Sequence, residues 1–380
     1  MNICKVSVII CVYTMERLND IHEAVNSVLD QTLKPYEMIL AVDHNEELYE
    51  RLVETYRDFT EIQGNSANLN QSPNLQSPVS IKIVLNTGAQ GLSETRNVGI
   101  RAAAGDIVAF IDDDAVAEPD WLENLVRAFS LQPAAISRNG QLFQPSQSTQ
   151  GTLSTQQTVV AVGGRAIPLW FNDKRPSWFP EELDWIVGCT YKGLPVETLN
   201  LEHGTLNLEL RTIRNVPGCN MAFRKEVFEQ AGFWETRIGS IGQSLKGGEE
   251  AELCLRIKHT IPDSLILYQP DAIIRHKIPR QRATLRWIFK NSFDQGVCKA
   301  KVQKLHQPML KKERRTLNVE HRTRNQTLST ESSYLRYLLL TSIPKRLRQF
   351  YKKGSLSQAG AIIVSTLATG AGYLIGKIKT

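Results

Sequence analysis

Four apolar runs recur along the first third of the chain: "VSVIICVY" (6–13), "EMILAV" (37–42), "IKIVLN" (81–86) and "DIVAFI" (106–111). Each is continuous rather than alternating, the pattern of a strand covered on both faces. After the first of them, "ERLNDIHEAVNSVLDQTL" (16–33) sets Leu18, Ile21, Ala24, Val25, Val28 and Leu29 at helical spacing. "GLSETRNVGIRAAAG" (91–105) reads as a second helix, closed by Gly105. Strand alternating with helix predicts an α/β domain built on a mainly parallel sheet. Ligands of such sheets bind beyond the carboxyl ends of the strands.

The fourth run ends at such a place, in three consecutive carboxylates, Asp112, Asp113 and Asp114. On a solvated turn they would repel weakly, whereas at the mouth of a buried strand they need a cation. Carboxylate oxygens suit a hard divalent ion such as Mg²⁺ or Mn²⁺, with few protein ligands when substrate phosphates complete the shell. The competing reading is an acidic turn before a helix starting near Pro119, where Glu118 and Asp120 favour the positive end of the dipole. Asp120 fits that reading, and the three carboxylates directly after "IVAFI" fit the metal.

Two stretches rich in Gln, Ser, Asn and Pro, 63–78 and 132–157, read as surface insertions without chemistry. The six cysteines form no CxxC pair, which suits thiols in a reducing compartment. The opening "MNICKVSVIICVYTMERL" lacks a small-residue cleavage pattern and reads as a first core strand rather than a signal peptide. "RPSWFPEELDWIVG" (175–188) with Trp170 forms a Trp-rich segment that is core or sugar-stacking surface.

Six segments, "VSVIICVYTMERL", "AVDHN", "GLSETRNVGI", "AFIDDDAVAEPDWLENL", "GCNMAFRKEVFEQAGFWE" and "GGEEAEL", follow one another in an order and spacing that resembles family 2 glycosyltransferases. The resemblance covers about residues 5 to 280. It implies a GT-A fold, a Rossmann-like mixed, mainly parallel sheet flanked by helices, and inverting transfer of a sugar from a nucleotide-sugar donor to a hydroxyl acceptor. It makes Asp112 and Asp114 the outer members of an Asp-x-Asp motif that holds Mn²⁺ or Mg²⁺, with Asp113 in the variable place on the donor side. His276 falls where many members carry a histidine near the metal or diphosphate; a lone histidine after a strand is also read as structural.

The same resemblance brings Val12, Tyr13, Thr14, Glu16 and Arg17 to the base and ribose, Asp43 to the base, and Gly91 and Arg96 to the diphosphate and base. By itself Asp43 reads as a strand-end turn residue, and Arg96 equally suits a carboxylate of the cluster. The family's Glu-Asp pair is here Glu249 and Glu250. Glu250 stands at the catalytic-base position, one methylene longer than aspartate, and geometry leaves Glu249 open; two first-turn glutamates would also complement a helix dipole. The Gln281 to Arg286 spacing is too long for the Gln-x-x-Arg-Trp motif of processive members, so the resemblance implies one sugar per encounter.

Charge divides the chain. Residues from 277 onward carry 22 Lys and Arg against 4 Asp and Glu, a surplus of 18 that leaves −12 on residues 1–276 of a chain with net +6. Basic clusters such as "KKERR", "HRTR" and "KRLRQFYKK" alternate with apolar turns, the pattern of helices on an anionic membrane face. "GSLSQAGAIIVSTLATGAGYLIG" (354–376) then runs 23 residues without a charge. The expected organisation is a catalytic domain at 1–280, a basic amphipathic helical region at 281–353, and a membrane-associated or transmembrane helix at 354–380. The expected place is the cytoplasmic membrane face, peripheral or single-pass, with a lipid-linked or cell-surface glycan precursor as acceptor. A sugar-nucleotide pyrophosphorylase is the competing enzyme, but "VYTMERLND" has no Gly-rich triphosphate loop. Nucleic-acid binding through the tail leaves the carboxylates unexplained.

Overall fold

A computed structural model of the chain describes residues 4–60, 79–131, 157–203, 206–241, 247–316 and 326–379. In chain order the first half-domain runs β1 (Val6–Val12), α1 (Leu18–Leu29), β2 (Glu37–Asp43), α2 (Glu46–Thr55), a single turn α3 (Arg57–Thr60), β3 (Ser80–Asn86), α4 (Leu92–Ala102), β4 (Ile107–Ile111), β5 (Ala115–Ala117) and α5 (Trp121–Ser130). There follow β6 (Thr158–Trp170), β7 (Glu197–His203), β8 (Leu206–Thr212), β9 (Asn220–Arg224), α6 (Glu226–Ala231), α7 (Glu249–Thr260) and β10 (Ser264–Ile278). The C-terminal helices are α8 (Leu285–Thr316), α9 (Gln326–Tyr337), α10 (Ile343–Arg348) and α11 (Ser355–Lys379). The insertion at 63–78, residues 132–156 of the second insertion and the "HRTR" cluster lie outside the described residues, as do the side chains of "KKERR".

All four apolar runs are strands of one mixed sheet ordered β3-β2-β1-β4-β9-β6-β10-β8-β7, with β5 against β10. β1 pairs in parallel with β2 and β4, and β2 with β3. Val8, Ile10, Leu40 and Ala109 are fully buried on one face, and Ile9, Ile39 and Val108 on the other, which is why these runs do not alternate. Each fully buried aliphatic side chain stabilises the sheet by about 1.5–3 kcal/mol. The parallel register puts the ends of β1, β2 and β3 level, with Val12 opposite Val42 and Asp43 opposite Asn86. Polar residues after those ends therefore converge on one edge.

Gly105 plays a different part from the expected one. α4 ends at Ala102, and a Cβ at 105 would lie 2.7 Å from the Lys5 carbonyl and the Ser7 nitrogen. The glycine lets the chain cross β1 closely on its way into β4.

The C-terminal helices are fastened to the catalytic body by a buried ion pair. Glu182, 1% exposed, lies in the 3₁₀ segment Glu181–Val187. It accepts from Arg346 (Nη2 2.6 Å, Nη1 3.0 Å), Ser342 Oγ (2.8 Å) and Tyr337 OH (3.2 Å). Burial works against its charge, but the Arg346 and Ser342 hydrogen bonds outweigh it and hold the carboxyl below its ordinary range. Glu182→Gln should cost about 1–3 kcal/mol by removing the charge that faces the largely enclosed Arg346. The check is a urea midpoint against pH: the wild-type advantage should be full above the ordinary carboxylate range and fade as pH falls through the lowered value, a trend the variant lacks.

Candidate active site

The site grows from the strand ends. β4 stops at Ile111, and the turn Asp112–Asp114 crosses to β5, where His276 of β10 pairs with Ala115. That antiparallel pairing places the imidazole over the turn: His276 Nε2 lies 3.0 Å from Asp114 Oδ1 and 3.9 Å from Asp112 Oδ2. The nearest ligand atoms of Asp112, Asp114 and His276 all fall within 4.8 Å of one another. Two carboxylates and an imidazole so disposed fit a hard or borderline divalent ion that leaves several positions to substrate oxygens. Asp114 and His276 are buried, whereas the Asp112 side chain is 35% exposed.

Electrostatics set the three aspartates apart. Burial pushes Asp114 up, but the charge and hydrogen bond of His276, with Arg17 and Arg282, outweigh it and hold that carboxyl well below its usual range. Burial and the neighbouring Asp114 charge push Asp113 up to about 7. Burial disfavours the charged form of His276, yet Asp114 beside it raises its proton affinity well above the ordinary value. A divalent ion on this nitrogen would take the place of that proton. Cys189 Sγ lies 3.6 Å from His276 Nδ1, fixing the ring from behind.

Arg17 turns to the aspartates rather than outward. Its Nη1 lies 2.6 Å from Asp113 Oδ1 and its Nη2 3.2 Å from Asp114 Oδ2, while the guanidinium sits 5.3 Å from the Tyr13 ring centroid. Asp113 is thereby held aside, and its Oδ2 has no partner among the described residues. Val12 is buried in β1, Thr14 Oγ1 accepts from the Glu16 backbone N–H at 3.3 Å, and Glu16 stands exposed at the rim.

Asp43 is drawn into the β3–α4 loop. Its carboxylate accepts from Asn86 Nδ2 (3.0 Å) and from the Gly91 N–H (3.1 and 3.2 Å). Gly91 has φ +129°, which a side chain would strain, and its N–H can point at Asp43 for that reason. Asn86, fully buried, also donates to Ala89 O (2.9 Å) and Thr95 Oγ1 (3.2 Å). Sequence reasoning missed it; the one available signal was a polar residue closing the apolar run "IKIVLN".

Arg96 reaches the carboxylate pair at the start of α7. Buried on α4, its Nη1 lies 3.2 Å from Glu250 Oε1 and 3.6 Å from Glu249 Oε1, and its Nη2 donates to Gly218 O at 3.2 Å. Trp234 covers the guanidinium at 4.8 Å. Glu249 is wholly buried, and burial, reinforced by the Glu250 charge against Arg96, pushes its carboxyl up to about 8. Glu250 is half-buried and lies over Gly218, where a Cβ would collide with its carboxylate. Cys219, next in chain, donates to Gly188 O at 3.1 Å, and its thiol is pushed well up by burial first and then by the charges of Asp112, Asp114 and Glu250. Gly218 and Cys219 thus sit between the two carboxylate groups, a role their sequence did not announce. Trp170 is buried edge-on to Phe179 at 4.8 Å, and Trp178 and Trp185 are half-buried against the same core.

The sequence model described as Glycosyl transferase family 2 matches residues 7–232. A glucosyl-dolichyl phosphate glucuronosyltransferase of Haloferax volcanii is 32% identical over 375 residues, 98% of this chain and 96% of that one. A pre-mycofactocin glycosyltransferase of Mycobacterium tuberculosis is 22% identical over 263 residues, and the match spans 68% of this chain and 46% of that protein. Among solved structures, a mannosyltransferase of Pyrobaculum calidifontis in complex with GDP-Man and Mn²⁺ is 15% identical, with a TM-score of 0.49 over 96% of this chain and 87% of the other.

Proposed function

Because the chain belongs to glycosyl transferase family 2 and is a glycosyltransferase, we propose that it moves a sugar with inversion from a nucleoside-diphosphate sugar to a hydroxyl of a lipid-linked glycan precursor, one sugar at a time. The observation that carries the reaction is the nearness of two groups, Asp112, Asp114 and His276 on one side and Glu250 beside Arg96 on the other, with Cys219 in the field of both. Asp112, Asp114 and His276 are the residues that would hold Mn²⁺ or Mg²⁺. When bound, that ion supplies positive charge against the leaving diphosphate.

Glu250 is the base in this reading. An acceptor hydroxyl oxygen attacks the anomeric carbon from the face opposite the diphosphate; its proton passes to Glu250, and the bond from the anomeric carbon to the phosphate oxygen breaks. Glu249 is wholly buried, and burial with the neighbouring Glu250 charge pushes its carboxyl up, which favours the half-buried Glu250 as the base. Arg96 holds the Glu250 carboxylate and orients it. Tyr13, Thr14 and Asp43, with the loop Asp43 anchors at Gly91, form the nucleotide side.

The lipid-linked acceptor draws support from the Haloferax volcanii relative, whose name places it on glucosyl-dolichyl phosphate, and from the basic C-terminal helices. The same name makes a uronic acid the first donor sugar to try. The test is nucleotide release from UDP-, GDP- and dTDP-sugars, UDP-glucuronate included, with a dolichyl-phosphate-linked glucoside and Mn²⁺ or Mg²⁺. Acceptor-dependent release that EDTA abolishes and added metal restores is expected. Release indifferent to EDTA removes the metal, and transfer to free glucose as good as to the lipid glucoside removes the acceptor.

A further inference from the structure

α11 is apolar on two opposite faces, and only one is covered. Ser355, Ala359, Ile362, Ser365, Ala368, Gly372 and Gly376 are buried. The other stripe, Leu356, Ile363, Val364, Leu367, Leu374, Ile375 and Ile378, is exposed at helical spacing, with Leu367 at 68%, Leu374 at 63% and Ile378 at 85%. At about 1.5 Å per residue this stripe is roughly 33 Å long, larger than isolated surface apolar residues explain.

The covered face packs along α8 in the same direction. Ser292 Oγ lies 2.9 Å from Ser365 Oγ, Gly296 sits against Thr369, Gly372 against Phe293, and Gly376 against Val297 and Ala300. α8 is itself seated on the catalytic body. Asn291 Nδ2 donates to Ile186 O at 2.5 Å, His306 Nε2 lies 3.4 Å from Glu252 Oε1 on α7, and Gln295 fills the space beside Gly247. Lys290, Asp294, Lys299, Lys301 and Lys304 lie along the same helix. If α11 crossed a bilayer, α8 would carry these charges into hydrocarbon, where each is costly. Lying flat, α11 buries its exposed stripe and leaves α8 in water.

The flanks carry one sign of charge. From residue 332 onward there are eight Lys and Arg and no Asp or Glu. Lys345, Arg348, Lys352 and Lys353 are exposed beside exposed Leu347, Phe350 and Tyr351. Basic heads interleaved with apolar and aromatic side chains match the headgroup and upper acyl region of an anionic membrane.

We propose that α10, the turn at 349–354 and the outer stripe of α11 form a membrane face that lies in the plane of an anionic bilayer without crossing it. This deepens the lipid-linked reading above, on which it rests for its purpose, because it brings the enzyme to the surface where such an acceptor is held. The anionic surface is the occupant the charge selects; a second copy of so basic a face would meet its own charge.

The test is flotation of the full chain with vesicles of phosphatidylcholine containing a third phosphatidylglycerol, against phosphatidylcholine alone. Partition at least about tenfold stronger to the anionic vesicles is expected, reduced about tenfold by Arg348→Glu/Lys352→Glu/Lys353→Glu and by Ile363→Glu/Leu367→Glu/Leu374→Glu. All six positions are exposed, so the melting midpoint should not move. Lys379→Cys should react fully with a membrane-impermeant maleimide added outside the vesicles. Shielding of that cysteine until detergent is added would show a span and overturn the proposal. Equal partition to both vesicles, wild-type partition by either variant, or a lipid-free dimer that the apolar variant dissolves would overturn it too. Flotation needs no catalysis, so partition with no transfer to the lipid glucoside sinks the acceptor reading alone.

Discussion

Asp114→Asn is expected to lower sugar transfer by about 10³-fold or more. The residue is buried, 3.0 Å from His276, and supplies one of three ligand atoms gathered within 4.8 Å. Asparagine keeps the acceptor oxygen for His276 but loses the charge that a divalent ion needs. If the ion's stabilisation of the leaving diphosphate amounts to about 4 kcal/mol, each 1.36 kcal/mol lost is tenfold in rate. Mn²⁺ titration gives an independent readout, since the variant should bind the ion at least about tenfold more weakly. Asp113→Asn makes the contrast. Asp113 is turned to Arg17 and leaves the ion to its neighbours, so its loss should weaken donor binding without removing metal affinity. Wild-type turnover by Asp114→Asn on every accepted donor would dismantle the site as drawn.

The second large effect is on the base. Glu250→Gln should reduce turnover by about 10²–10⁴-fold, the range for loss of a positioned general base, with the donor KM nearly unchanged. Glu249→Gln should remain within about tenfold of wild type, because burial and the Glu250 charge push that carboxyl up, toward the neutral form that glutamine resembles. The two variants decide between the two glutamates directly, and the reverse ranking would assign the base to Glu249. Azide as an external nucleophile that restores turnover to Glu250→Gln without restoring Asp114→Asn would separate proton removal from leaving-group stabilisation.

Much of this arrangement was legible in the chain itself. The four continuous apolar runs are β1 to β4; β1, β2 and β4 are buried on both faces, whereas β3 is the half-buried edge strand of the sheet. The aspartates after "IVAFI" lie at a strand end because β4 stops where its apolar residues stop. Less could be read of β10, which runs Ser264–Ile278 straight through Pro270 and Asp271. Local propensity ends a strand there, but a register shift between Gln269 and Ile273 absorbs the break. A carboxylate partner for Arg96 was legible, but which carboxylates Arg17 and Arg96 would meet was not, for another reason. Each guanidinium reaches a carboxylate from a distant segment, Asp113 and Glu250 lying 96 and 154 residues away, and only the folded sheet brings those groups within reach. Gly218 carries no chemistry of its own; its value lies in the side chain it lacks beside Glu250.

The seating of α11 on α8 also determines when the molecule can be completed. Ser292 waits for Ser365, 73 residues later, and Glu182 waits for Arg346, 164 residues later. At ribosomal speeds of about 5–20 residues per second, the second interval is roughly 8–30 s. Through that time the carboxylate stands uncovered, first while β7 to β10 are still being made and then, once α8 has followed them, together with the flank of that helix. The ion pair that fastens the C-terminal helices therefore forms only after every residue of the active site has been made.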